Sequence, residues 1–220
     1  MQTFVDRADA GRQLAAVLAK YGQSHPLVLA LPRGGVPVAF EIAKVLQAPL
    51  ELLLVRKIGA PGYPEYGIGA VVDGSDPQLV INDEAMRVVN PLAGYIEAEK
   101  GRQLHEIERR RRVYQGDRPA PPTKGRTVIV VDDGIATGGT VKAALKALRR
   151  AETERIILAV PVAPGDALED LKADTDEIVC LVTPESFRAV GLHYEDFDQT
   201  SDDEVVRLLE KSRKMVGTET

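Results

Sequence analysis

Two neighbouring carboxylates, Asp132 and Asp133, are followed by a run of small residues, Gly134-Ile135-Ala136-Thr137-Gly138-Gly139-Thr140. Paired acids are poor partners for phosphate but good acceptors for the hydroxyls of a vicinal diol. The glycine-bearing loop has the opposite preference. Its backbone can approach a ligand closely, its free N–H groups point outward, and Thr137 and Thr140 add hydroxyl donors, a combination that suits an oxyanion. A single unit satisfies both halves: a ribose 5-phosphate, with its phosphate on Ala136, Thr137, Gly138, Gly139 and Thr140 and its hydroxyls on Asp132 and Asp133.

The elements that must hold these groups are legible around them. Val128–Val131 is an unbroken apolar, largely β-branched run, the pattern of a strand covered on both faces as in a parallel sheet. The acids then fall at the carboxyl end of that strand, where open α/β sheets bind ligands. Thr140–Leu148 is a run of good helix formers. The expected local unit is strand, acid pair, anion loop, helix.

That unit resembles a known motif. VIVVDDGIATGGT, residues 128–140, is similar at all thirteen positions to the phosphoribosyl diphosphate (PRPP) binding motif of type I phosphoribosyltransferases. A P-loop is excluded because no Gly-Lys-Ser/Thr follows. The resemblance implies a three-layer α/β/α fold with a mainly parallel central sheet. It also implies transfer of a 5-phosphoribosyl group from PRPP to a nitrogenous acceptor, such as a nucleobase, with release of pyrophosphate. Mg2+ is implied as the cofactor, bound through PRPP rather than by a metal-ligand set of the chain. A PRPP- or nucleotide-sensing regulator on the same fold is the alternative, because fold alone does not decide function.

Other candidates extend the site. Pro26–Leu31 reads as a first buried strand, leaving through Arg33-Gly34-Gly35 into a helix over Val36–Leu46. The triplet looks like the short family loop that holds pyrophosphate through amides and a cation. Leu50–Val55 reads as a second strand ending at Arg56-Lys57, and 58–66 is too rich in glycine and proline for regular structure. Its position resembles that of the catalytic flexible loop of the family. Lys57, Tyr63, Glu65 and Tyr66 are therefore expected near the ligand, with Lys57 joining Arg33, Asp132 and Asp133 as catalytic candidates. Ile68–Val72 and Leu79–Ile81 form a hairpin across Asp73-Gly74.

The remaining chain is expected to be one domain with two additions. Glu84–Gln115 reads as a helical insertion broken at Asn90-Pro91, with a basic run Arg109–Arg112 as a solvated helix end, and 116–125 as a stiff proline linker. Strands over Arg155–Val160 and Ile178–Val182 lead into a small hood-like segment, about 183–200. It loosely resembles the acceptor-stacking segment of purine enzymes, with Phe187 or Tyr194 as platform. His193, set among acids, is expected at the surface, and Cys180 in the core. Hypoxanthine-guanine enzymes carry an Asp before Thr-Gly where this chain has Ala136, so the acceptor stays unassigned.

Composition narrows the classes. With 28 Lys and Arg against 33 Asp and Glu, the net charge of −5 argues against a dedicated nucleic-acid binder. A single cysteine removes a disulfide framework and a multi-cysteine zinc site. The first residues carry Asp6, Arg7 and Asp9 with no apolar segment, and no run approaches a membrane span of roughly 18 residues. The expectation is a cytoplasmic protein whose partners are PRPP and an acceptor, with no nucleic acid or membrane and with a homodimer as an open option.

Overall fold

The computed structural model describes residues 3–74 and 76–216. Its centre is a five-stranded parallel sheet of β1 (Leu27–Ala30), β2 (Leu50–Leu52), β6 (Thr127–Val131), β7 (Arg155–Val162) and β8 (Glu177–Val182) in the order β2-β1-β6-β7-β8. Side chains alternate across a strand, and here both sets are apolar. Val28, Ala30, Ile129 and Val131 join one core with α1 (Arg7–Leu18), α2 (Gly35–Leu46) and α7 (Asp202–Val216). Leu27, Leu29, Val128 and Val130 join a second core with α5 (Gly139–Arg150) and α6 (Gly165–Leu171) on the opposite face. The unbroken apolar strands thus produce the three-layer α/β/α arrangement expected. Among the described residues no helix is long and apolar enough to cross a membrane.

Some helix starts carry side-chain caps. Asp6 accepts the Asp9 N–H at the start of α1, and Ser201 accepts the Glu204 N–H at the start of α7, as its sequence suggests. The first helix is shorter than expected. It passes into a 3-10 turn over Ala19–Ser24, which His25 closes at a left-handed φ of 45°.

One expectation is overturned. The expected hairpin of Ile68–Val72 with Leu79–Ile81 is present, but 58–66, read as irregular, is strand too, so that β3 (Val55–Ala60), β4 (Tyr63–Val72) and β5 (Gln78–Ile81) form a second, antiparallel sheet. Strand β3 is therefore not an extension of β2 but the start of this hairpin, and Lys57 pairs with Ala70 within it. The ladder tolerates its glycines and Pro64 because the register shifts between Ile58 and Ala60, leaving Pro64 opposite no ladder partner. Tyr63 and Tyr66 stand exposed near its tip.

The insertion is helical as expected, with α3 (Asp83–Val89) and α4 (Tyr95–Gln115) separated around Asn90. Its basic run is divided. Arg109 and Arg110 both pair with Glu106 and Arg112 with Glu108, but Arg111 turns inward to the buried Asp73.

Candidate functional site

Strand β1 connects outward to β2, whereas β6 lies on its other side and continues to β7. The loops after β1 and β6 therefore leave the sheet side by side in opposite directions, the switch point at which open α/β sheets form a ligand crevice. Arg33-Gly34-Gly35 sits on one lip and Asp132–Thr140 on the other. The Leu31 N–H donates to the Val131 carbonyl at 2.9 Å, carrying the sheet ladder into the crevice floor.

The two loops touch. A Cβ on Gly34 would lie 1.9 Å from Asp133 Oδ2, and one on Gly35 would lie 2.7 Å from the Val131 carbonyl oxygen. Only a chain without side chains at these two positions can lie against the acid pair. Gly138 does different work: at φ 73° it turns the chain into α5 and offers no side-chain cap. Ile135 is buried and anchored by its N–H to Val162, while Ala136, Thr137 and Gly139 are exposed above it. The amides opening α5 thus face solvent over a fixed base, the arrangement that favours an anion.

The two acids have unlike surroundings. Asp133 Oδ2 accepts from Arg7 Nε at 2.8 Å, and both side chains are largely buried. The same guanidinium lies 3.9 Å over the Phe197 ring, and its Nη1 donates to the Asp198 carbonyl. The Tyr194 hydroxyl donates to the Asp133 carbonyl at 2.6 Å. Asp132 has no cation of its own; its Oδ1 accepts the Asp133 N–H. Burial first, and the Asp133 charge second, push its carboxyl well above the usual range. The two carboxyl groups also lie within side-chain hydrogen-bonding reach of each other.

A model of the phosphoribosyl transferase domain matches residues 5–196. The chain belongs to that family. It is 47% identical over 214 residues to a Mycobacterium tuberculosis protein provisionally named a phosphoribosyl transferase, a match that covers 97% of this chain and 48% of the relative. The chain therefore spans about half the length of that curated relative. An adenine phosphoribosyltransferase from Mycoplasmopsis agalactiae is 39% identical over 61 residues, 27% of this chain and 36% of that one. The crystal structure of TT1426 from Thermus thermophilus superposes with a TM-score of 0.80 at 44% identity, covering 96% of this chain and 99% of the other.

Within the phosphoribosyl transferase domain, Gly34 and Gly35 lie against Asp133 and the Val131–Asp132 backbone, while the Arg33 side chain turns towards Asp202. Lys57 approaches from the second sheet. It lines a groove of about 500 Å³ between that sheet and α5, with Gly139, Lys142 and Lys146 on the facing wall.

The hood-like segment departs from expectation. Tyr194 is no open platform. Its ring is buried between Phe4 and Phe197, at 5.3 and 4.9 Å, because an isolated bridge to Phe4 draws the segment onto the N-terminal residues. Phe187 is half-buried and stacks parallel to His193 at 6.1 Å. His193 itself is buried, not at the surface, because its carbonyl accepts the Phe4 N–H and the short 3-10 turn tucks the ring beneath Phe187. Cys180 is half-buried, with its thiol pushed up by burial. Arg7 was not identified from sequence. Its partner lies 126 residues away, and no local pattern marks such a contact.

Proposed function

We propose that the protein transfers a 5-phosphoribosyl group from PRPP to a nitrogen nucleophile and releases pyrophosphate. The observation that carries this reading is the direct packing of the Arg33-Gly34-Gly35 loop on the acid pair, beside the uncapped start of α5. A ligand seated there meets amides for a phosphate, a pair of carboxylates for a diol, and a cation for a leaving group.

On this reading the exposed amides and hydroxyls of Ala136–Thr140 anchor the 5-phosphate. Asp132 Oδ2 and Asp133 Oδ1 accept from the ribose hydroxyls, each charge-assisted bond contributing about 1.5–3 kcal/mol. The C1–O bond to the diphosphate breaks with its electron pair passing to the departing oxygen, and the acceptor nitrogen closes the new C1–N bond and loses its proton. Because positive charge develops at the ribosyl carbon, positioning and fixed electrostatics carry the rate and no protein nucleophile is needed. Arg33 and Lys57 face the negative charge that accumulates on the diphosphate. The acid pair also fits water-mediated contact with a hydrated Mg2+ arriving on PRPP. When bound, the ion supplies neutralisation of leaving-group charge.

The acceptor is proposed as a nitrogen base of the nucleobase class. The short match to an adenine enzyme and the small residue at Ala136 support it. Within the 58–66 segment, the exposed residues 61–66 at the tip of the β3–β4 hairpin are proposed to close over the ligand.

The test is ligand linkage followed by turnover. PRPP with magnesium at about 100 times Kd should stabilise the protein by about 2.7 kcal/mol. For a domain of this size that is roughly 5–11 °C in Tm. The double variant Asp132→Asn/Asp133→Asn should lose the rise, and an undiminished shift there would remove the diol assignment. Pyrophosphate should then appear when PRPP meets a pool of nucleobases; binding without release across the pool would favour the sensing reading.

A further inference from the structure

Helix α4 ends over the β1 loop. Its last turns carry Arg109, Arg110, Val113 and Tyr114, which enclose a cavity of about 210 Å³ together with Arg33 and Asp202. We propose that this cavity is an oxyanion subsite, built by the insertion, for a phosphate or diphosphate group. The proposal shares Arg33 with the reading above, but its other cations come from α4.

Arginines at a helix carboxyl end are expected from the helix dipole alone. The dipole does not explain why two of them converge with an arginine from a separate loop on one hollow. The donors there are largely unspent. Arg33 approaches Asp202 Oδ1 at 3.6 Å, too long for a hydrogen bond, and makes none among the described residues. Arg110 uses only Nε, on Glu106, and Arg109 uses Nε and Nη2 on the same carboxylate. The remaining guanidinium N–H groups belong to planar forks that match phosphate oxygens.

The acids nearby fix the frame rather than fill the hollow. Glu106 braces Arg109 and Arg110 from the previous turn. Asp202 accepts the Tyr114 hydroxyl at 2.7 Å, tying α4 to the first turn of α7. Burial and that bond raise the Tyr114 phenol to about 12, so it remains a neutral donor. Three cations against two acids leave a net positive pocket. Its volume lies below the roughly 300–1,000 Å³ typical of sites for drug-sized ligands. A small oxyanion fits this combination of size and sign, and a whole nucleotide does not. The group can be the diphosphate that Arg33 helps to hold, or free phosphate.

Calorimetric titration of inorganic pyrophosphate and, separately, inorganic phosphate into wild type and Arg109→Gln/Arg110→Gln tests the subsite, alongside the PRPP thermal shift of both proteins. The expected result is at least a tenfold weakening of pyrophosphate or phosphate binding in the variant. A matching loss of PRPP affinity identifies the leaving group as the occupant. PRPP affinity within twofold of wild type identifies free phosphate. Equal oxyanion binding by the two proteins, or none by wild type at millimolar concentration, overturns the subsite. A PRPP shift that survives that failure leaves the transferase reading intact. Oxyanion binding that depends on Arg109 and Arg110 without any PRPP shift separates the two in the other direction. Both arginines lie on an exposed helix face, where lost pairs with Glu106 cost little stability, so a folded variant is expected.

Discussion

Gly34→Ala is the sharpest probe of the crevice, because the added atom collides with an acid rather than with packing. The new Cβ would stand 1.9 Å from Asp133 Oδ2 and 2.5 Å from its Cγ. Reaching an ordinary van der Waals separation requires a retreat of roughly 1.5–2 Å by the carboxylate, by the loop, or by both. The carboxylate cannot move so far and keep its 2.8 Å bond to Arg7 Nε. Overpacking of this kind costs about 1–3 kcal/mol, or roughly 2–12 °C in Tm for a protein of this length. A misplacement of about 1 Å in a positioned group costs on the order of a hundredfold in rate. Thermal melts with and without PRPP and magnesium, followed by pyrophosphate release, measure both effects. Gly22→Ala is the control, since a Cβ there meets nothing within 4 Å, and its melting temperature should hold or rise slightly. A Gly34→Ala protein with the wild-type PRPP shift and turnover would show that the contact between loop and acid has no bearing on the ligand.

Two further outcomes follow from the acid pair. Arg7→Ala leaves Asp133 without its cation in a largely buried setting and should destabilise the protein by about 3 kcal/mol in urea denaturation; a loss under about 1 kcal/mol would show the pair to be dispensable. The raised Asp132 carboxyl, facing Asp133 and Arg7, sets a pH dependence of definite sign. Above the unfolded value near 3.9 the unfolded chain gives up a proton that the folded chain retains, so stability of the free protein should fall as pH rises towards the raised folded value. PRPP binding needs the carboxylate and should strengthen over the same interval. Melts taken from pH 4 to 9 check both, and a PRPP shift that weakens with rising pH contradicts the diol assignment.

What could be read from the sequence was what neighbouring residues decide. Strand β6, the acid pair and the start of α5 follow from β-branching, small residues and helix formers within one stretch, and the parallel sheet follows from several such strands. The hairpin of β4 with β5 was legible, but its pairing with β3 was hidden because glycine and proline density between Ile58 and Tyr66 signals a break, whereas a register shift absorbs it. The site details that escaped are those set across the chain. Arg7 reaches Asp133 over 126 residues, and the Phe4 backbone captures the His193 carbonyl and the Glu195 N–H from the opposite end of the protein. An aromatic cluster near the carboxyl end reads equally well as a stacking platform or as packing, and the bridge to Phe4 places Tyr194 in packing.

The asymmetry between the acids has a cause in this long-range wiring. Asp133 is reached by Arg7 from the first helix, by Tyr194 from the hood segment and by Gly34 from the β1 loop, so three distant parts of the chain fix its position. Asp132 accepts the Asp133 N–H, is buried, and feels Arg7 only at a distance, without an ion pair of its own. Environments that push paired acids apart give them different roles. On the proposed reading, Asp133 is the permanent acceptor whose geometry is set before the ligand arrives. Asp132 ionises more readily once a diol hydrogen bond offsets its burial, which links its charge to occupancy of the crevice. Since hydrogen bonds to the charged form lower a carboxyl's pKa, ligand binding itself supplies the second acceptor. The free protein is thereby spared a second carboxylate charge beside Asp133.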